Sequence, residues 1–263
     1  IDELKSLELE ILQTVHDFCI KNNINYSICG GTLIGALRHK GFIPWDDDID
    51  IIMTRSDYEK FKTLFNEQKD SPLKFIDCFN NRQFFQPFGK VVNTKTKLIE
   101  TYARPIDDMG VYIDVFPVDG IPAGDKNREK FWRKITKIKN LNTVIYEKSI
   151  DGENPIKHFI RILLFYMFRP FPANIIAKKI SRFAQKVDFN ASDTVASSIF
   201  GYGRDEETVK SAYNSYVDVE FEGRKFKAMS GYETFLRNIY GDYMQLPPEE
   251  KRVLKHDFKA YWR

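Results

Sequence analysis

The chain is poor in the residues that build thiolate and imidazole chemistry. Its 263 residues include three cysteines, Cys19, Cys29 and Cys78, and four histidines, with no CxxC pair and no histidine at ligand spacing. That leaves no basis for a disulfide framework or a Cys–His metal centre; buried, reduced thiols are expected, as suits a cytosolic protein. Long apolar runs are missing too. The most apolar stretch, residues 158–172, holds only about ten residues between Arg161 and Pro170, where a bilayer span needs about 20. The first residues do not read as a secretory leader, because Asp2, Glu3, Glu8 and Glu10 break the apolar run a leader requires. Neither sign of charge dominates, since 40 Lys and Arg face 37 Asp and Glu for a net +3. A nucleic-acid binder working by bulk electrostatics is thereby excluded. Internal repeats and low-complexity linkers are absent.

The charge that is present is unevenly placed. Residues 121–190 carry 15 Lys and Arg against 6 Asp and Glu, a local excess of +9, so the remainder is net −6. The length is enough for a substantial apolar core. Three regions are expected: a catalytic core over 1–120, a basic helical region over 121–190, and a part over 191–263 that completes the core or forms a lid.

The most informative stretch is residues 24–53, INYSICGGTLIGALRHKGFIPWDDDIDIIM. A short apolar strand pattern at Ile24, Tyr26 and Ile28 runs into Gly30-Gly31, then into a short helix with Leu33, Ile34 and Leu37. The chain turns through Gly41 and Pro44-Trp45 and enters a second strand. Glycines at a strand-to-helix turn let a ligand approach the backbone, and the free N–H groups of a helix start attract phosphate. On the second strand, alternation points Asp48 and Asp50 to one side and Ile49 and Ile51 to the other. Two adjacent carboxylates call for a counter-charge, and a divalent cation of the Mg²⁺ kind favours oxygen ligands. Asp47 has the wrong parity for this pair; Asp46 suits a turn cap or a group that orients a nearby base. The plain alternative, a solvated acidic turn, sits poorly with the flanking apolar alternation.

The string GGTLIGALRHKGFIPWDDDIDI resembles the signature of the LicD family, phosphocholine transferases of bacterial surface glycans to which the fukutin-related proteins are similar. It also resembles the wider nucleotidyltransferase pattern, a Gly-Gly turn followed by an Asp-apolar-Asp strand. The tail GYETFLRNIYGDYMQLPPEEKR is similar to the closing part of LicD-type sequences. The resemblance implies CDP-choline or a similar nucleotide donor, and as acceptor a glycan precursor such as teichoic acid, free or lipid-linked.

Elsewhere the chain reads as alternating elements. Leu4, Leu7, Ile11, Leu12, Val15, Phe18 and Cys19 recur at helical spacing, so a scaffold helix ends near residues 21–23 and carries His16 in a structural or exposed role. Ser56 and Asp57 can cap a helix through Tyr58, Phe61, Leu64 and Phe65. Strands are expected over 73–77, 84–92 and 97–101, the last two joined by a polar turn at 93–96. Lys90 lies on one of them; it could neutralise donor phosphates, or sit at a sheet edge. In GVYIDVFPVDG, residues 110–120, Ile113 and Val115 face one way and Tyr112, Asp114 and Phe116 the other, so Asp114 is a carboxylate in an apolar strand. A buried acid must be paired, bound to metal or held by backbone hydrogen bonds. It is therefore the candidate third carboxylate, at the position to which the family resemblance also points. Asp119, before Gly120 and Pro122, suggests a turn.

From Asp125 the chain turns long, basic and helical, with Phe131, Trp132, Ile135, Ile138 and Leu141 as a buried stripe. Residues 157–186, with Lys157, Arg161, Arg169, Lys178, Lys179 and Arg182 around the apolar core, fit either an interfacial helix on an anionic membrane or a buried helix. Phe200-Gly201-Tyr202-Gly203 reads as a loop. A hairpin is expected around Glu222-Gly223, and a helix over 233–240 stopping at Gly241, with Tyr240 and Asp242 as ligand contacts.

Together these readings imply an α/β nucleotidyltransferase-like core, a mixed sheet flanked by helices. Asp48, Asp50 and Asp114 would hold one or two Mg²⁺ ions, with Asp114 as base. Gly30, Gly31 and Thr32 would grip phosphate oxygens, and Arg38 could add a bidentate contact, with His39 and Lys40 behind it. An Asp-x-Asp glycosyltransferase is the rival enzyme. A calcium or membrane-binding module is the rival of another class, but Ile51 stands where an EF-hand loop needs Gly. The expected location is cytoplasmic, with peripheral contact at the inner face of the membrane through 157–186.

Overall fold

Each of the two amphipathic periods in the chain produces its own layer. The computed structural model describes residues 2–101, 103–146, 155–253 and 258–263. Helix α1 (Asp2–Lys21) buries Leu4, Ile11, Leu12, Val15 and Cys19, its 3.6-residue stripe, against the sheet. Strand β1 (Ser27–Ile28), helix α2 (Gly30–Arg38) and strand β2 (Asp50–Thr54) follow, so the first strand is shorter than the apolar pattern at 24–28 suggests. Helix α3 (Arg55–Asn66) comes next. Its cap is Thr54, two residues before the expected Ser56: Thr54 Oγ1 accepts the Asp57 N–H and donates to the Asp57 carboxylate at 2.9 Å, so Asp57 works as the third helical residue of a reciprocal cap.

Strands β3 (Leu73–Ile76), β4 (Gly89–Asn93), β5 (Thr96–Glu100) and β6 (Tyr112–Gly120) complete the first half. The strand expected from residue 84 begins only at Gly89, because Pro87 has no N–H for a ladder and Phe84 and Phe85 are buried in a second small core. Nor do β4 and β5 pair with each other. Thr96 Oγ1 donates to the Asn93 carbonyl and accepts the Val111 N–H, both at 2.8 Å, which turns β5 out of the main sheet. In β6 the expected alternation is present, with Ile113 and Val115 fully buried. Asp119 is not in a turn, however. It lies within the strand, buried, and receives a bidentate pair from Arg55, Nε to Oδ1 at 2.8 Å and Nη2 to Oδ2 at 2.6 Å.

Helices α4 (Asp125–Tyr146), α5 (Pro155–Phe168) and α6 (Asn174–Ala184) form the basic region, and α4 buries Phe131, Trp132 and Ile135 as its stripe requires. The side chain of Lys157 lies outside the described residues. Strands β7 (Thr194–Ala196) and β8 (Thr208–Val209) return to the sheet. The hairpin of β9 (Tyr216–Phe221) and β10 (Arg224–Met229) turns at Glu222-Gly223 as expected; helix α7 (Tyr232–Tyr240) ends at Gly241, and β11 (Phe258–Trp262) pairs with β5.

The described sheet runs β1-β2-β6-β4-β3, with β7 joined to β6 and β8 to β7. Only the β2–β6 pair is parallel; the others are antiparallel. This is the mixed α/β architecture with flanking helices that the sequence implied. The parallel pair at the centre positions the site, because it sets Asp50 opposite Asp114.

Candidate active site

The site is built on β2, β6 and the turn into α2. Gly30 opens α2 at φ +55°, a backbone conformation that favours glycine, and a side chain there would meet Asp50 Oδ2 at 3.0 Å. At Gly31 a Cβ would collide with Asp46 Oδ2, so the missing side chain is the space the Asp46 carboxylate fills. Thr32 is buried and its Oγ1 accepts the Asp50 N–H at 2.9 Å, while Cys29 N–H donates to the Asp50 carbonyl at 3.0 Å. The glycine turn and the acidic strand are thus stitched together by one side-chain and one backbone hydrogen bond, which explains their closeness in sequence.

Asp48 lies just ahead of β2, Asp50 is its first residue, and Asp114 faces Asp50 across the parallel ladder, where its N–H donates to the Ile49 carbonyl at 2.9 Å. All three acids line one cavity of about 450 Å³, along with Lys139 and Asn142 of α4. Lys90, on β4 opposite Asp114, is buried; its Nζ donates to Asp114 Oδ1 at 2.6 Å and sits 3.3 Å from the centre of the Tyr112 ring. It does not lie at an exposed sheet edge. Burial first, then Asp48, Asp114 and Asp46, hold the Asp50 carboxyl well above the ordinary carboxylate range, and Lys90 works against them.

A second, larger cavity of about 900 Å³ reaches Asp48 and Asp50 but not Asp114. Gly31, Arg38 and Asp46 line it, as do Tyr240 and Asp242; Trp45, Tyr243, Lys251 and Arg252 supply aromatic and cationic walls. Arg38 is engaged with the far end of the chain, its Nη1 donating to the carbonyls of Tyr243 at 2.8 Å and Gln245 at 3.1 Å. The two cavities share Asp48, Asp50, Phe200 and Tyr202. Of the expected residues, then, Asp48, Asp50, Asp114, Gly31 and Arg38 face cavity space; Gly30, Thr32 and Lys90 stand behind them.

The donor set suits a hard divalent cation: carboxylate oxygens on a rigid parallel pair, one of them buried with more negative than positive neighbours. Among the described residues no three His, Cys, Asp or Glu side chains already stand within a single coordination sphere. Lys90 answers part of the charge.

Three further residues were not picked out from the sequence. Glu8 is buried on α1, with Oε2 unpartnered among the described residues; burial first, then Asp48, Asp47 and Asp114, push its carboxyl well up. Its signal was legible, an acid standing among Leu4, Ile11 and Leu12. Glu206 is fully buried, and its Oε1 accepts the N–H groups of Gly201, Tyr202 and Gly203 at 2.9, 2.6 and 3.2 Å, which fixes the loop between the cavities. Burial raises its carboxyl to about 7 against those bonds. Lys139 has its pKa lowered by burial.

Comparison with known proteins gives a consistent picture. The family described as LicD/FKTN/FKRP, nucleotidyltransferase domain, matches residues 23–149. A lipopolysaccharide cholinephosphotransferase, LicD, of Haemophilus influenzae is 31% identical over 258 residues, covering 96% of this chain and 94% of that protein. An uncharacterized protein of Rickettsia typhi is 43% identical over 70 residues, 26% of this chain and 23% of its own. One of Rickettsia prowazekii is 48% identical over 54 residues, 20% of each chain.

Proposed function

This chain belongs to the LicD/FKTN/FKRP nucleotidyltransferase family, and from that premise we propose that it transfers phosphocholine, or a related polyol phosphate, from a CDP-activated donor to a hydroxyl of a cell-surface glycan precursor of the lipopolysaccharide or teichoic-acid type. The observation that carries this reading is the meeting of two cavities at Asp48 and Asp50. A transfer enzyme needs a donor and an acceptor to reach one phosphorus from different directions.

The larger cavity suits the donor. Arg38, Lys251 and Arg252 supply positive charge for a diphosphate, and Trp45, Tyr202, Tyr240 and Tyr243 supply aromatic faces for a base or a quaternary ammonium. Gly30 and Gly31 leave room for a phosphate at the start of α2, where it would take the place the Asp46 carboxylate holds against Gly31. Thr32 keeps that helix start tied to β2. A divalent cation of the magnesium class, held by Asp48, Asp50 and Asp114, would withdraw charge from the attacked phosphate and stabilise the leaving nucleoside monophosphate. Lys90 adds to the positive charge near that diphosphate from behind Asp114.

The smaller cavity suits the acceptor, with Lys139 and Asn142 as polar contacts. The acceptor oxygen forms a bond to the phosphorus of the phosphocholine group, the bond to the bridging oxygen breaks, and CMP leaves with that electron pair. The hydroxyl proton passes to Asp114, which Lys90 holds at the cavity wall. A lipid-linked precursor would place the enzyme in the cytoplasm against the inner face of the membrane; among the described residues no helix is long and apolar enough to cross one.

The test is CMP release from CDP-choline by purified protein with Mg²⁺ and a glycan acceptor. Asp48→Asn should abolish release while thermal unfolding moves by no more than a few degrees. Full turnover by that variant would refute the role given to Asp48. Nucleoside diphosphate in place of CMP would move the chain to a glycosyltransferase chemistry.

A further inference from the structure

A third cavity, of about 460 Å³, lies away from the carboxylates and is lined by Arg82, Arg104 and Arg169 with Gln83 and Phe171 among its walls, and, among the described residues, by no acidic one. Clustering three guanidinium groups costs free energy unless an anion answers them. Arg104 makes the point most sharply. Its Nε and Nη2 are buried from solvent and have no hydrogen-bond partner among the described residues. Its guanidinium centre stands 5.7 Å from the ring of Phe165, and that of Arg169 stands 5.2 Å from the same ring. Burial, then the charge of Arg169, lowers the Arg104 pKa. Gln83, the amide on the rim, is occupied with Asp107, to which its Nε2 donates at 2.9 Å. The donors left for a ligand are therefore guanidinium N–H groups, which fit phosphate oxygens in paired fashion.

The same cavity opens at the C-terminal end of α5, and that helix carries an unusual surface. Phe159, Ile160, Leu163, Tyr166 and Met167 recur at one-face helical spacing and are all exposed, Tyr166 at 68% and Leu163 at 58%. Phe171, on the cavity wall, is exposed at 49% and continues the stripe past the helix end. Apolar rings and chains at this density on water are the mark of a binding face. Periodicity left open whether residues 157–186 form a buried or an interfacial helix. In the structure α5 does both: Phe165 is buried, and the stripe on the other side is left on the surface.

The geometry points to one occupant for both features: an anionic lipid surface, with a lipid phosphate seated among Arg82, Arg104 and Arg169 and the exposed stripe of α5 lying in the headgroup–acyl boundary. Charge complementarity selects it. An apolar protein partner would satisfy the stripe but leave the guanidinium groups unanswered, whereas a membrane presents phosphates and acyl chains at adjacent depths. The site is also tied to the smaller cavity of the active site, since the Arg104 N–H donates to the carbonyl of Tyr146 at 3.0 Å and Tyr146 lines that cavity. Docking here would bring the acceptor side of the enzyme to the bilayer. The docking does not rest on the transfer chemistry and is measured without it.

The test is co-sedimentation of the full chain with vesicles of phosphatidylcholine alone and of phosphatidylcholine with roughly a third phosphatidylglycerol. The expected result is binding to the anionic vesicles and little to the neutral ones. Arg82→Gln with Arg169→Gln removes two exposed cations and should weaken partitioning by about 25-fold, taking about fivefold for each arginine near an anionic surface. Leu163→Gln with Tyr166→Gln should abolish binding to both vesicle types, and because both side chains are exposed the fold should survive, as circular dichroism would verify. Arginine variants that bind like the parent would overturn the phosphate seat. Failure of the parent to bind anionic vesicles would overturn the whole proposal, whether inorganic phosphate protects the chain from heating or the α5 variant dissolves a dimer.

Discussion

Replacing Lys90 with Met tests the electrostatic design of the site without any substrate. Methionine keeps the apolar stem of lysine and removes only the charge. In the structure that charge is buried, 2.6 Å from Asp114 and with 5% and 14% of the two side chains exposed. Breaking one side of a buried pair costs about 3–5 kcal/mol, because the carboxylate left behind is uncompensated. Here the loss falls on a cluster, since Lys90 also opposes the upward push on Asp50. For a chain of this size each kcal/mol moves the midpoint of thermal unfolding by about 2–4 °C, so Lys90→Met should lower it by about 10 °C. Two controls give the measurement its meaning. In an Asp114→Asn background the same substitution should cost about 1 kcal/mol or less, because the charge it answered is gone. Saturating Mg²⁺ should raise the midpoint of Lys90→Met by more than that of the parent, a cation on the acids replacing the lost lysine. An equal cost in both backgrounds, or no difference between the two proteins with Mg²⁺, would refute the view that Lys90 and a divalent cation answer the same negative charge.

Glu206 should make stability pH-dependent. Its carboxyl is raised to about 7 from an ordinary 4.5, so the folded state holds the proton more tightly and stability falls as pH rises from about 4.5 to about 7, by about 3 kcal/mol. Glu206→Gln keeps an acceptor for the three loop N–H groups but cannot titrate, and should show a flatter urea midpoint across that range; an unchanged slope would dismiss Glu206 as its source. Gly35→Ala should destabilise although alanine is the better helix former by about 1 kcal/mol. The new Cβ would stand 2.4 Å from the Gly41 carbonyl, and overpacking against backbone costs about 1–3 kcal/mol. A higher urea midpoint would show that the turn yields freely. Asp119→Asn should cost about 3 kcal/mol by stranding Arg55, with CMP release per folded molecule unchanged; a fall in turnover at full folding would give this pair a part in the chemistry.

Much of the site could be seen in the chain because its signals are local. Asp48 and Asp50 stand out by their alternation with Ile49 and Ile51, and Asp114 as the acid set between Ile113 and Val115. The Gly-Gly turn is legible for a similar reason: glycine is demanded by φ +55° at Gly30 and by the Asp46 oxygen against Gly31. What stayed hidden depends on register between distant segments. Nothing near Lys90 in sequence says that it will oppose a residue 24 positions away, and the Arg55–Asp119 pair spans 64. Local pattern therefore read Asp119 as a turn residue. Glu206 is harder still, since a carboxylate wrapped by the N–H groups of its own loop looks in sequence like any surface acid. For α5 the period was plain, but a stripe does not say whether anything covers it.

The loop that Glu206 holds is the hinge of the proposed transfer. Phe200 and Tyr202 border both cavities, and Phe200 packs edge-on against Phe116 at 4.5 Å between ring centres, so the loop is anchored to β6 two residues from Asp114. On the other side Tyr202 accepts a hydrogen bond from the Tyr240 hydroxyl at 3.2 Å, which ties the same loop to α7 and the wall of the larger cavity. A partition fastened at both ends leaves the carboxylates as the place where the two spaces meet. In the proposed transfer, a phosphorus bound there would be attacked from the smaller cavity and its leaving group would depart into the larger. The three N–H bonds to Glu206 cost burial of a carboxyl group, and what they secure is this division of space. Under the proposed function, loosening the loop should therefore harm transfer to the acceptor more than binding of the donor, because Arg38, Lys251 and Arg252 line the larger cavity from outside that loop.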